Sequence, residues 1–327
     1  MSLRRLGYEY VPGPSGSQSD WVLEPKFAWK GQADYDAVAD ACTAWVRAQL
    51  VPRCGLVELK GGGYSTPSIA QHRGPVLLLV CGSAPGGDAG VWGRALCIND
   101  STCTGSMFET IGRAMRRGWA VVVADPHQAN GAPHAHLLEL YQRVLCPSIS
   151  RPLLILAHSY GAALSIGMLK AAEAARGAAT LQHVTALALT DGMVWCANGW
   201  RGGAALLHEG LSALTTDDEV EEAAASGAGT VASIIEKRAQ LRAWVDEVPT
   251  AFDPPSHELS KLIGAVGRNW VVSDRRLGAR VRVEGSRVMA TVSAAVSAHP
   301  STTHAALDDV FTYLDRAAVV RRKRGRA

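Results

Sequence analysis

The sequence predicts a three-layer α/β sandwich, with a mainly parallel central sheet and helices on both faces. Two observations carry that prediction. Near-continuous apolar runs, Val76–Val80, Ala120–Ala124, Leu153–Leu156 and His183–Thr190, recur with helical patterns between them. Strands covered on both faces read this way, because no position along them meets water. The third run also passes through Ala157-His158-Ser159-Tyr160-Gly161 into a helical pattern rich in Ala, Leu and Met. A buried strand, a turn of small residues around one serine, and a helix form the setting of a nucleophile elbow.

Taken in order, residues 1–33 are aromatic and broken by Pro12, Gly13, Pro14 and Gly16, which predicts an extended segment or hairpin packed on the outside. Tyr35, Val38, Ala39, Cys42, Trp45 and Val46 fall on a helical stripe within 35–50. A short strand is expected over Leu56–Lys60. The Val76–Val80 strand ends in Cys81-Gly82-Ser83-Ala84-Pro85-Gly86-Gly87. A helix over Met107–Arg116 leads to the Ala120–Ala124 strand and Asp125-Pro126. A helix over Ala135–Leu145 leads to the elbow strand. The fourth run ends in Asp191-Gly192.

Residues 193–266 interrupt the alternation with an acidic patch, Asp217–Glu222, and a helical pattern over Val231–Val245. They read as a lid-like insertion. The sheet resumes with Asn269–Ser273 and Val288–Val296, and a helix over Ala305–Val319 closes it. The expectation is a single domain over 1–320 and a basic tail over 321–327.

Composition narrows the function. Apolar residues make up 47% of the 327 and charged residues 19%, enough for a substantial core. The formal net charge is +3, and Arg321, Arg322, Lys323, Arg324 and Arg326 supply five positives, which leaves the body at −2. Bulk charge therefore gives no nucleic-acid-binding face, and only weak contact through the tail is expected. The seven cysteines form no CxxC pair, which suggests reduced thiols. No signal-peptide pattern opens the chain, and no window is apolar enough to span a bilayer. The expected protein is soluble and intracellular, cytoplasmic or nuclear, without membrane contact.

A serine nucleophile needs a base, an acid to orient the base, and donors for the oxyanion. In an α/β-hydrolase arrangement these lie beyond the carboxyl ends of successive strands, in the order Ser, Asp, His. Ser159 is the candidate nucleophile. His304, just before the terminal helix, is the preferred base, with His299 shaping the turn ahead of Pro300. The acid is Asp191 or Asp274, each ending a strand. Backbone N–H groups at Gly82 or Ser83 and at Tyr160 are the expected oxyanion hole. Asp125, His127, His134 and His136 share a loop region, but their spacing matches no structural zinc pattern. No metal and no cofactor are expected.

With these residues in place, the chain resembles the argonaute-binding-protein-type domain family, a branch of the α/β-hydrolase superfamily. The resembling pieces are Leu6-Gly7-Tyr8-Glu9-Tyr10, the elbow, Ala186-Leu187-Ala188-Leu189-Thr190-Asp191, Asn269-Trp270-Val271, and Val296-Ser297-Ala298 leading to His304. The resemblance implies Ser159 as the nucleophile equivalent and favours Asp191 as the acid. It also implies roles in RNA-linked nuclear assemblies, with an argonaute, chromatin or splicing protein as partner. The chain departs from the family's nuclear splicing regulator between Ala120 and the elbow, where a long charged insert is replaced by a short connection. Two functions follow: a serine hydrolase acting on a small ester or thioester, or a hydrolase-fold scaffold whose site is slow or vestigial.

Overall fold

The computed structural model describes residues 2–82, 89–127, 133–146, 151–192, 195–196, 199–200, 255–282 and 289–324. The chain opens with an antiparallel hairpin, β1 (Glu9–Pro12) and β2 (Trp21–Glu24), paired from Glu9↔Glu24 to Pro12↔Trp21. It packs on α1 (Gln32–Gln49) through Tyr10, whose ring lies 4.4 Å from that of Trp45. Tyr8, Leu23, Val38 and Cys42 fill this outer core. Burial raises the Tyr10 hydroxyl well above its ordinary range, and it donates to the Cys97 carbonyl at 2.9 Å.

The sheet follows. Its strands are β3 (Val57–Glu58), β4 (Tyr64–Ser65), β5 (Val76–Val80), β6 (Ala120–Val123), β7 (Leu153–His158), β8 (Val184–Thr190), β11 (Gly267–Val271) and β12 (Ala290–Ser293). Their spatial order is β12-β11-β8-β7-β5-β6-β4-β3. β3 and β4 pair antiparallel and β4 pairs antiparallel with β6, while every pairing from β6 to β12 is parallel. Numbered along the chain, that is the 1-2-4-3-5-6-7-8 order of an α/β-hydrolase sheet, antiparallel only at its second strand. The fold class expected from the sequence is the fold observed.

Alternation of side chains along each strand splits the core in two. Leu77, Leu79, Val121, Val123, Leu154 and Leu156 face one layer. That layer includes α4 (Phe108–Arg116) and the terminal helix α8 (Thr302–Arg324). Val76, Leu78, Val80, Ile155, Leu187 and Leu189 face the other. There α5 (Pro133–Leu140), α6 (Tyr160–Arg176) and α7 (His257–Val266) cover the sheet. Two short helices, α2 (Arg94–Asn99) and α3 (Thr102–Gly105), fill the crossover from β5 to α4. Polar bonds tie α8 down: Trp270 Nε1 donates to Asp309 at 2.8 Å, and Arg117, just after α4, pairs with Asp315.

Several boundaries differ from expectation. β4 was not foreseen, since it is only two residues long and joins the sheet as an antiparallel edge piece. α8 begins at Thr302 and continues through Arg324, so four of the five tail cations are helical. Of the lid-like insertion 193–266, residues 201–254 lie outside the described residues, including the acidic patch and the Val231–Val245 helix. The described parts are a short antiparallel pair, β9 (Trp195–Cys196) with β10 (Gly199–Trp200), and α7. α7 is a layer of the fold: Leu259 and Ile263 are buried in the core beneath it. No helix among the described residues is long and apolar enough to cross a membrane.

Candidate active site at the carboxyl end of the sheet

The elbow lies between β7 and α6. Ser159 holds φ 53° and ψ −124°, a conformation that costs a non-glycine residue about 1–3 kcal/mol and persists only where neighbours impose it. Its N–H donates to the Thr190 carbonyl at 3.1 Å, and its own carbonyl accepts from Ala162 N–H at 3.1 Å. The small residues are explained by contact. A Cβ on Gly161 would lie 2.3 Å from the Cys81 carbonyl oxygen, and one on Gly82 would lie 3.1 Å from Ser159 Cβ. Gly82 therefore forms a wall against the serine. Tyr160 is the first residue of α6, whose opening N–H groups have no carbonyl partner within the helix.

Asp191 follows β8, one strand away from the elbow strand. It too is held at positive φ, 47°, with its N–H donating to the Trp270 carbonyl at 2.6 Å. Asn269 pins the same turn from β11: it accepts from Gly192 N–H at 3.0 Å and donates to the Gly192 carbonyl at 3.1 Å. A Cβ on Gly192 would fall 2.7 Å from that of Ala162, so this turn and the elbow helix are in contact. The Asp191 carboxylate then accepts a 2.6 Å hydrogen bond from His299 Nδ1.

The histidine that meets Asp191 is therefore His299 and not His304, the base expected from the sequence. His304 lies on the first turn of α8, is exposed, and its ring makes no hydrogen bond among the described residues. The helix begins at Thr302, and its inward positions on that turn are taken by buried Thr302 and Thr303. His299 instead sits in a 3-10 turn just before the helix, at the height of Asp191. Asp274, the alternative acid, is exposed and without a hydrogen bond among the described residues. The structure brings Asp191 and His299 together at the end of β8, the strand beside the elbow strand, and leaves His304 and Asp274 outside that pair. The Ser159 hydroxyl itself has no hydrogen-bond partner among the described residues.

The histidines after β6 are engaged separately. His127 Nε2 donates to the Gly82 carbonyl at 2.7 Å, fixing the strand end that faces the serine. His136 Nε2 accepts from Asp125 N–H at 3.2 Å, and the buried Asp125 carboxylate accepts from Arg47 at 2.9 Å through both oxygens. His134 lies 3.4 Å from the Tyr160 hydroxyl. No group of three or more potential ligands among the described residues could hold a metal ion. Burial lowers His127 and His136 from their ordinary range, and lowers His134 to about 4.

His158 is the most buried of these rings. Burial, with the nearby His299 adding to it, lowers its value from 6.5 to about 3. The unfolded ring takes up a proton near 6.5 and the folded ring only near 3. Between those values the unfolded state binds more protons, so stability falls as the pH falls. Going from pH 7 to pH 5 is expected to remove about 2 kcal/mol of unfolding free energy through this ring alone. Urea midpoints at the two pH values check it, and equal midpoints would show that the ring is solvated.

No protein-family model matches the chain. Among curated proteins it is 27% identical over 191 residues to the FAM172 family protein homolog Y75B8A.31 of Caenorhabditis elegans, a match spanning 52% of this chain and 60% of that protein. Among solved structures it is similar to a hydrolase from Pseudomonas aeruginosa PA01 (17% identity, 79% of this chain, 97% of that chain, TM-score 0.39). It is also similar to the thioesterase domain of the curacin biosynthetic pathway (14% identity, 79% and 98%, TM-score 0.39).

Proposed function

We propose that this chain is a serine hydrolase that cleaves a small ester or thioester. The observation that carries the reading is the 2.6 Å bond between Asp191 and His299, at the end of the strand beside the one that carries Ser159 on its strained turn. Asp191 accepts from Nδ1, which leaves Nε2 of the neutral ring as the basic nitrogen. Ser159 Oγ attacks the acyl carbon while His299 Nε2 takes its proton. The N–H groups of Gly82 and Tyr160 steady the oxyanion. Collapse breaks the bond to the alcohol or thiol, which leaves with the proton from His299. Water, deprotonated by the same nitrogen, then releases the acid and restores Ser159.

Labelling of the purified chain with a fluorophosphonate probe tests this. Wild type is expected to label and Ser159→Ala is not. Equal labelling of the two proteins would sink the assignment.

A second reading is favoured by one observation: the Asp191–His299 pair is made, but the Ser159 hydroxyl is not bonded to it among the described residues. Catalytic hydrogen bonds are often loose before substrate binds, so the geometry also suits an enzyme. Under the second reading the chain is a hydrolase-fold scaffold for an argonaute, chromatin or splicing protein, as the sequence resemblance implies. Well-folded protein that does not label, but recovers such a partner from nuclear extract, would establish it.

A further inference from the structure

His158 occupies the variable position just before the nucleophile, where nothing in the proposed chemistry requires an imidazole. Its surroundings are unusual. Its Nδ1 lies 2.9 Å from the Thr190 carbonyl, 3.2 Å from Thr190 Oγ1 and 3.3 Å from Thr303 Oγ1, and the two threonine hydroxyls are 2.6 Å apart. A carbonyl only accepts, so Nδ1 carries the proton. The same carbonyl takes the Ser159 N–H. Thr190 precedes Asp191, and Thr303 lies four residues beyond His299. One buried ring thus touches the segments that carry the nucleophile, the acid and the base.

Its face does the rest. The rings of His158 and His299 have centroids 4.7 Å apart and planes 32° apart. The His299 side chain is 45% exposed, so packing alone holds it on few sides. Its 2.6 Å bond to Asp191 fixes one atom but leaves the ring free to swing about that bond. A flat partner underneath removes this freedom.

We propose that His158 is the positioning residue of this site, a ring locked by the Thr190–Thr303 pair and serving as the platform on which His299 is held in plane with Asp191. The proposal rests on the hydrolase reading for its catalytic consequence but not for its geometry. His158→Asn keeps a donor near Nδ1 and removes the platform. His158→Phe keeps the platform and removes the donor.

On the full chain, His158→Asn is expected to slow fluorophosphonate labelling by about 100-fold, the scale of a small misplacement of a catalytic group. It is also expected to abolish the far-downfield proton resonance of the His299–Asp191 bond. His158→Phe is expected to keep that resonance and to label within about ten-fold of wild type, at a lower Tm because buried acceptors lose their donor. A folded His158→Asn with wild-type rate, pH profile and resonance overturns the proposal, as does a folded His158→Phe no better than His158→Asn.

Should neither variant fold, wild type still decides through the nuclear Overhauser contact between the two imidazole rings. Its presence supports the platform and its absence overturns it. A wild type that does not label, yet loses the His299 resonance on His158→Asn, keeps the platform and removes the hydrolase.

Discussion

Exchanging His299 for alanine is expected to slow phosphonylation of Ser159 by about 10⁴- to 10⁶-fold, the range of losses when the acid or the base of a serine triad is removed. His304→Ala is expected to stay within about two-fold of wild type, as an exposed side chain away from the chemistry should. The contrast follows from geometry. A base must be oriented by an acid, and the 2.6 Å partner of Asp191 is His299 Nδ1. His304 would have to leave the first turn of α8 to reach that carboxylate. Asp191→Asn is expected to cost about 10⁴-fold, since an amide in place of the carboxylate no longer selects the Nδ1–H tautomer. Second-order labelling rates of the folded variants at pH 7.5 to 8 would measure all three. A slow His304→Ala beside a fast His299→Ala would return the base to α8 and remove the Asp191–His299 pair from the mechanism.

What could be read from the sequence divides along physical lines. Parallel strands buried on both faces advertise themselves, and β5, β6, β7 and β8 match their apolar runs within a residue or so. The elbow was legible because its small residues answer a local steric demand. Asp191 was legible only as one of two aspartates that end a strand, and the resemblance rather than the spacing favoured it over Asp274. The histidine that meets Asp191 was not legible, because that choice turned on where a helix begins. Starting α8 at Thr302 rather than Ala305 moves His304 out of the loop and onto the helix, and such boundaries shift by a few residues in any sequence reading. Asn269 was missed as the residue that pins the Asp191–Gly192 turn, since that bond spans 77 positions. The Thr190–Thr303 contact, across 113 positions, was hidden for the same reason. His158 gave one signal that could have been used: a titratable ring inside an otherwise apolar strand must find a buried partner.

Gly161→Ala is expected to cost about 3 kcal/mol or more, at the upper end for an added methyl because the clash is with backbone. The added carbon would sit 2.3 Å from the Cys81 carbonyl and 2.7 Å from that of Val80. Neither atom can swing aside as a side-chain tip would, so α6 must move away from the end of β5. That movement separates Ser159 from Gly82, and labelling should fall even in the molecules that remain folded.

Gly177→Ala provides the control. That glycine ends α6 at φ +78° and ψ 167°, a region essentially reserved for glycine, with nothing within 4 Å of an added Cβ, so only backbone strain of about 1–3 kcal/mol applies. Urea unfolding of both variants, read beside labelling, separates steric from conformational cost. A Gly161→Ala that is no less stable than wild type, or that labels normally, would mean that α6 and the end of β5 are not in the contact described. The two small positions of the elbow are therefore unequal. Ala157 keeps its methyl in the core on the α6 side of the sheet, whereas residue 161 faces carbonyl oxygens and has room only for hydrogen.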